Sequence, residues 1–160
     1  MSRSLVIGAF GLLLMAACGA QPSCSSSTAS NLKCANGSSA HHAYVVVQHM
    51  SGAWLDACVA FDGGSIDGQT LMDESGIEYQ AQTVSSGKVV CQVDREPSHY
   101  DACFPLNLPY WALFIESHGR WTSAPGGFGD LHLGDGEAMG WHYVPASDPS
   151  PAPPPMPKKA

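Results

Sequence analysis

The sequence predicts a mostly β domain of the α+β class. Between Ala43 and Pro145 the apolar residues fall in short runs rich in Val, Ile, Phe, Tyr and Trp, separated by turn signals built on Gly, Ser and Asp. One stretch alone, Ile66 to Ser75, carries a helical pattern. The chain's 17 glycines and 12 prolines leave a large share of it to loops and tails.

Taken in order, Tyr44 to His49 is β-branched and short, and Leu55 to Phe61 follows the Ser51-Gly52 turn, so the two should form a hairpin. Ser65 is placed to cap the Ile66–Ser75 helix, Leu71 and Met72 to face inward, and Gly76 to end it; Gly68 is a weak point inside it. Ile77 to Val84 alternates as a strand, Ser85-Ser86-Gly87 turns, and Lys88 to Val93 returns. Tyr110 to Glu116 is the most apolar strand. Its alternation sets Tyr110, Ala112, Phe114 and Glu116 on one face and Trp111, Leu113 and Ile115 on the other. Both faces are apolar, so this strand should be central and covered on both sides. His118-Gly119 turns into Arg120 to Thr122, and Asp135-Gly136 precedes a last strand, Ala138 to Val144.

The 160 residues allow one ordinary domain with accessories. Residues 1–17 read as an export signal: Arg3 supplies the positive start, and Leu5 to Ala17 is an apolar run of 13 residues. That run is shorter than the ~20 residues a membrane-spanning helix needs. Ala16-Ala17 directly before Cys18 forms a lipobox-like site, with Met15 where Leu is usual. Cys18 is therefore the expected lipidation site, and the lipid bilayer, reached through an acyl anchor outside the cytoplasm, the expected partner. Residues 18–42 are rich in Ser, Ala, Asn and Gly and are expected to be a flexible tether. The domain should occupy 43–145. Residues 146–160 should be a disordered tail, since seven prolines fall between Pro145 and Ala160.

Composition narrows function mainly by exclusion. Between Ala43 and Pro145 three cations stand against 13 acids, a net charge of −10. Nucleic-acid binding needs the opposite sign, and a basic membrane-surface helix is excluded as well. No nucleophile motif of the Gly-x-Ser-x-Gly or Cys/His kind occurs, so no catalytic residue and no enzyme activity is assigned.

Six cysteines divide by place. With Cys18 assigned to lipid, five remain in a compartment that permits disulfides. Cys91 and Cys103 flank a loop with no helical or strand pattern, and a bridge there would stabilise the fold by roughly 3 kcal/mol. Cys24 and Cys34 both lie in the tether and could close a small loop. Cys58 is then either a buried thiol or the true partner of Cys91 or Cys103. No Cys-x-x-Cys occurs.

The order of motifs in the second half is more specific. Val89-Val-Cys91-Gln-Val-Asp94 is followed by Pro97, Cys103, Tyr110-Trp111-Ala-Leu-Phe114, Arg120-Trp121-Thr-Ser and Gly134-Asp-Gly136-Glu-Ala-Met-Gly140-Trp141. This resembles the bacterial family related to the C-terminal domain of transcobalamin and intrinsic factor, from about Tyr44 to Val144. Arg95 stands where that family has a turn glycine, and Glu137 displaces the usual second acid of its Gly-Asp pair. The resemblance implies a single β-grasp-like domain with about seven strands and one short helix. In vertebrate relatives the domain covers one face of cobalamin; most bacterial members have no assigned ligand.

Nine of the 14 aromatic residues lie between Tyr100 and Tyr143. Most should fill the core of so small a β domain. Trp111, Phe114, Trp121 and Phe128, with the Gly126–Gly129 loop, are the candidates for a ligand-binding edge. The seven histidines show no metal-ligand spacing; His99 and His118 are the exposed candidates, and no metal site is assigned. The expected function is an exported, lipid-anchored module capturing a small molecule, such as a corrinoid, for a membrane transporter. No resident cofactor is implied beyond that cobalamin-like ligand. The alternative is a structural or protein-interaction module of the cell envelope without a small ligand.

Overall fold

The structure is a computed structural model and describes residues 32–159. The expected signal segment, Cys18 and Cys24 lie outside the described residues.

The molecule is mostly β, with nine strands in three sheets and one short α-helix among the described residues. Strands β1 (His41–Gln48) and β2 (Trp54–Phe61) form the expected hairpin, paired from His41↔Phe61 to Gln48↔Trp54. A two-residue strand β3 (Ile66–Asp67) leads into helix α1 (Gly68–Glu74). Strands β4 (Tyr79–Val84) and β5 (Gly87–Val93) make a second hairpin. Strand β6 (Tyr110–Ser117) turns into β7 (Arg120–Ser123). A 3-10 turn at Phe128–Asp130, the short β8 (His132–Leu133) and β9 (Ala138–Val144) complete the chain of elements.

The main sheet has the order β2-β1-β9-β6-β7. Two of its inner strands, β1 and the central β9, run parallel, with Tyr44 opposite Ala138 and Gln48 opposite His142. All its other neighbours are antiparallel. On one face Val45, Val47, Val59, Trp111, Met139 and Trp141 meet Leu71 and Met72 of α1, Val90 and Val93 of β5, and Phe128. This is the principal core. The small β3–β8 ladder closes one end of it, through Ile66↔Leu133.

Helix α1 starts two residues later than the sequence suggests, and its cap is Asp67 rather than Ser65. The Asp67 carboxylate accepts the backbone N–H of Thr70 at 2.9 Å and its hydroxyl at 2.7 Å. Those hydrogen bonds hold its pKa below the ordinary aspartate value. Gly68 is the first helical residue, so its low propensity matters little. A Cβ there would fall 2.1 Å from the carbonyl oxygen of Phe128, and the missing side chain lets the helix seat on the 3-10 turn.

The tether boundary is corrected. Strand β1 begins at His41, so His41 and His42 belong to the sheet. Residues ahead of it are fixed as well: Ala35 donates to the Cys58 carbonyl and accepts from Ala60, both at 2.8 Å. Cys34 is bonded to Cys58, not paired with Cys24, and Cys91 is bonded to Cys103. The strand thiol left over by sequence reasoning therefore anchors the segment that precedes the sheet. Leu32 and Cys34 pack there against Tyr44, Cys58 and Ala138.

The tail is the larger correction. Residues 151–159 lie against the second face of the main sheet, with Pro154 and Pro157 buried. Composition pointed to disorder because the segment has no strand or helix period. It needs neither, because that face offers apolar surface from Ala112, Phe114, Val144 and Trp121. Proline has no N–H to leave unsatisfied and is already restricted before docking. An apolar surface can therefore hold it with few backbone partners. Strand β6 is thus covered on both sides, as its sequence requires. Among the described residues no helix is long and apolar enough to cross a membrane.

Candidate functional site

Between β5 and β6 the chain makes a loop that no regular element contains. It begins at a tight turn after β5, in which Val93 and Glu96 exchange both backbone hydrogen bonds at 2.9 Å. The two turn residues, Asp94 and Arg95, have φ of 43° and 63°. A two-residue hairpin turn of this kind requires positive φ at both positions, a conformation unusual for an arginine. A cis Glu96–Pro97 bond follows. Gln92 Nε2 donates to the Pro97 carbonyl at 2.6 Å. The Cys91–Cys103 bridge then ties the loop back to β5.

The loop and the sheet enclose a cleft of about 260 Å³, lined mainly by apolar atoms. Its floor is Trp111 of β6 and Tyr143 of β9, with ring centroids 4.9 Å apart. Trp111 Nε1 donates to the Glu96 carbonyl at 3.1 Å, which fixes the indole plane. Tyr143 is held above the ordinary phenol pKa by burial and, less, by the charge of Glu96. The wall is loop: Pro97, Tyr100, Ala102, Pro105, Leu108 and Pro109, with the disulfide at the back. Beside the opening three large apolar side chains face solvent: Phe104 at 63%, Leu106 at 88% and Leu108 at 56% exposure. The Phe104 ring also meets Tyr110 edge-on, with centroids 5.8 Å apart.

A polar post stands next to the cleft. His49, at the end of the first hairpin strand, has Glu96 Oε2 2.6 Å from Nδ1 and Asp94 Oδ2 3.2 Å from Nε2. Its ring meets Trp111 edge-on at 6.2 Å. The two carboxylates sit on opposite nitrogens of one ring and do not converge on a shared point. The trio positions the 94–97 turn against the sheet. Among the described residues no group of three or more His, Cys, Asp or Glu could hold a metal ion. His99 lines the cleft and lies 3.3 Å from Asp101, both almost fully exposed. His118 sits in the β6–β7 turn, 2.8 Å from Ser117 Oγ.

The four aromatic residues proposed from sequence as one edge are not brought together, which corrects their placement. Trp111 reaches the cleft. Phe128 is fully buried in the principal core, edge-on to Trp141 at 5.7 Å and to Tyr79 at 5.9 Å. Phe114 and Trp121 lie on the opposite face of the sheet, beneath the tail. The period of two already separates Trp111 from Phe114, and strand pairing carries that separation across the sheet. Sequence reasoning missed Tyr143, Tyr100, Leu106 and Leu108 as site residues. The readable signal was Pro105-Leu-Asn-Leu-Pro109, two leucines fixed between prolines in a segment without a core-facing period.

No family model matches the chain, and no curated protein matches it. A solved structure from Ruminococcus gnavus ATCC 29149, described as a putative metal binding protein, is similar over 66% of this chain and 98% of its own. The identity is 15% and the TM-score 0.48. A likeness at that level transfers no ligand and no residue role.

Proposed function

We propose that the chain is an interaction module of the cell envelope that docks a protein partner through the disulfide-stapled loop after β5. The observation that carries this is that Phe104, Leu106 and Leu108, close together in the sequence of a loop held by the Cys91–Cys103 bridge, are all exposed. A covalently fixed loop loses little entropy when it binds, and aromatic and aliphatic anchors supply the contact energy. The two disulfides suit an oxidising compartment and support export. A Cys18 acyl anchor would then hold the domain at the extracytoplasmic face of the membrane, within reach of a transporter or a wall component.

The strand order β2-β1-β9-β6-β7, with β1 and β9 parallel and α1 packed across one face, supports a β-grasp-like fold. On that reading the domain is a distant member of the transcobalamin and intrinsic-factor C-terminal type. It carries no catalytic assignment.

The Trp111–Tyr143 floor favours a second reading, in which a small planar molecule stacks in the cleft. The volume favours the first reading. Small-molecule sites occupy roughly 300–1,000 Å³, and the cleft's 260 Å³ falls below that range. A corrinoid would rest on the opening rather than enter.

Photo-crosslinking in cells from position 106 tests the proposal. A discrete protein adduct that disappears with Phe104→Asp supports it. No adduct, together with a tryptophan-fluorescence response to one member of a corrinoid panel, would replace it with the small-molecule reading. Cys18→Ser should move the protein out of the membrane fraction; retention there contradicts the anchor.

A further inference from the structure

The C-terminal segment is held against the sheet as a ligand is held in a groove. Pro151 is half-buried and Pro154 and Pro157 are buried, while Ala152, Pro153, Met156 and Lys158 are exposed. Pro155, also half-buried, flanks the central contact. A burial period of three is that of a left-handed polyproline II helix, which has three residues per turn.

Each end of the segment is read by side chains. His142 Nδ1 donates to the Ala152 carbonyl at 2.8 Å. Pro154 and the Trp121 indole share the space above Gly140, where a Cβ would come within 2.7 Å of both. The Lys158 N–H donates to Asp56 Oδ2 at 3.1 Å, and its ammonium lies 4.6 Å from the centroid of the Trp54 ring. The Lys159 ammonium is 3.1 Å from Glu116 Oε2, on a carboxylate whose side chain is 0% exposed. Aromatic rings for the prolines and fixed acids for flanking cations are the usual means of recognising proline-rich peptides.

We propose that this face of the sheet is a groove for proline-rich segments with prolines three apart followed by two lysines. The chain's own tail fills it in cis, and such a segment on another polypeptide takes its place when the tail leaves. Two observations make the tail displaceable. Among the described residues, no backbone-to-backbone hydrogen bond ties 149–159 to the sheet. Trp121 Nε1 is also buried with no acceptor among the described residues, a donor that the carbonyl of a better-fitting segment can meet.

The test uses the full chain and a fluorescent synthetic peptide of residues 151–160. Lys159→Glu sets a carboxylate against Glu116 and frees the tail while leaving the groove unaltered. The peptide should then bind the variant at least about tenfold more tightly than it binds the unmodified chain, whose tail competes at high effective concentration. Equal binding to both, or to neither, overturns the proposal. Should Lys159→Glu fail to fold, the unmodified chain decides. Excess unlabelled peptide should move the Pro154 ring resonances of the isotope-labelled chain to their random-coil positions, and unmoved resonances overturn the proposal. A dimer of the unmodified chain that persists under excess peptide assigns the face to self-association and overturns it too.

Discussion

The two faces of the main sheet are covered in opposite ways. On one, α1, the β4–β5 hairpin and the 3-10 turn bury a continuous apolar core through elements that lie between the strands in sequence. On the other, the cover comes from the two ends of the described chain: the segment bridged by Cys34–Cys58 and the proline-rich tail. The first cover is made of side chains that have no other place to go. The second is made of chain that could exist without the sheet. Stability should therefore concentrate on the helix side, and exchangeable contacts on the tail side.

The largest expected effect is on the helix side. Phe128→Ala should cost about 3–5 kcal/mol, the usual range for an aromatic truncated in a close-packed core, read as a lower urea midpoint. A loss below about 1 kcal/mol would show that Phe128 is not a core residue. On the tail side, Gly140→Ala introduces a methyl group within 2.7 Å of the Pro154 ring and the Trp121 indole, so one of them must shift. A cost of about 1–3 kcal/mol is expected, together with faster proteolysis of the tail and little change in the principal core. Unchanged protease sensitivity would mean that the tail does not rest on β9.

A smaller effect separates the helix cap from both faces. The Asp67 carboxylate has a lowered pKa in the folded chain. Its stabilisation is thus present above the ordinary aspartate pKa of 3.8 and is lost as the pH falls through the folded value. Asp67→Asn keeps a capping oxygen and should flatten that part of the acid limb; Asp67→Ala should cost about 1 kcal/mol at neutral pH. An acid limb identical in Asp67→Asn would remove Asp67 from the pH dependence. The smallest effect is at the turn that opens the cleft. Arg95→Gly relieves a positive φ but frees the unfolded chain, a net gain of about 0.5 kcal/mol. A loss there in thermal unfolding would show that the arginine side chain stabilises the turn.

Much of the helix-side cover was legible in the sequence. The alternation of Trp111, Leu113 and Ile115 follows from a period of two, and Leu71 and Met72 are the large apolar residues of the one helical stretch. The tail was not legible, because a period of three written mostly in proline carries no apolar contrast until a surface selects one side of it. Cys58 was ambiguous for a related reason. Its partner Cys34 is 24 residues away and becomes adjacent only once β2 has paired. The cleft needed the loop's own path, which Asp94, Arg95 and Cys103 set together and no spacing reveals. Apolar alternation on both faces of β6 did carry one lasting inference: something had to cover the second face.

That cover can be observed directly by nuclear Overhauser spectroscopy on the full chain. Contacts between the Pro154 ring protons and the Trp121 indole are expected, with Lys158 and Lys159 shifted from random-coil positions. Random-coil shifts throughout residues 151–159, with no contact to Trp121, would contradict a sheet covered on both faces.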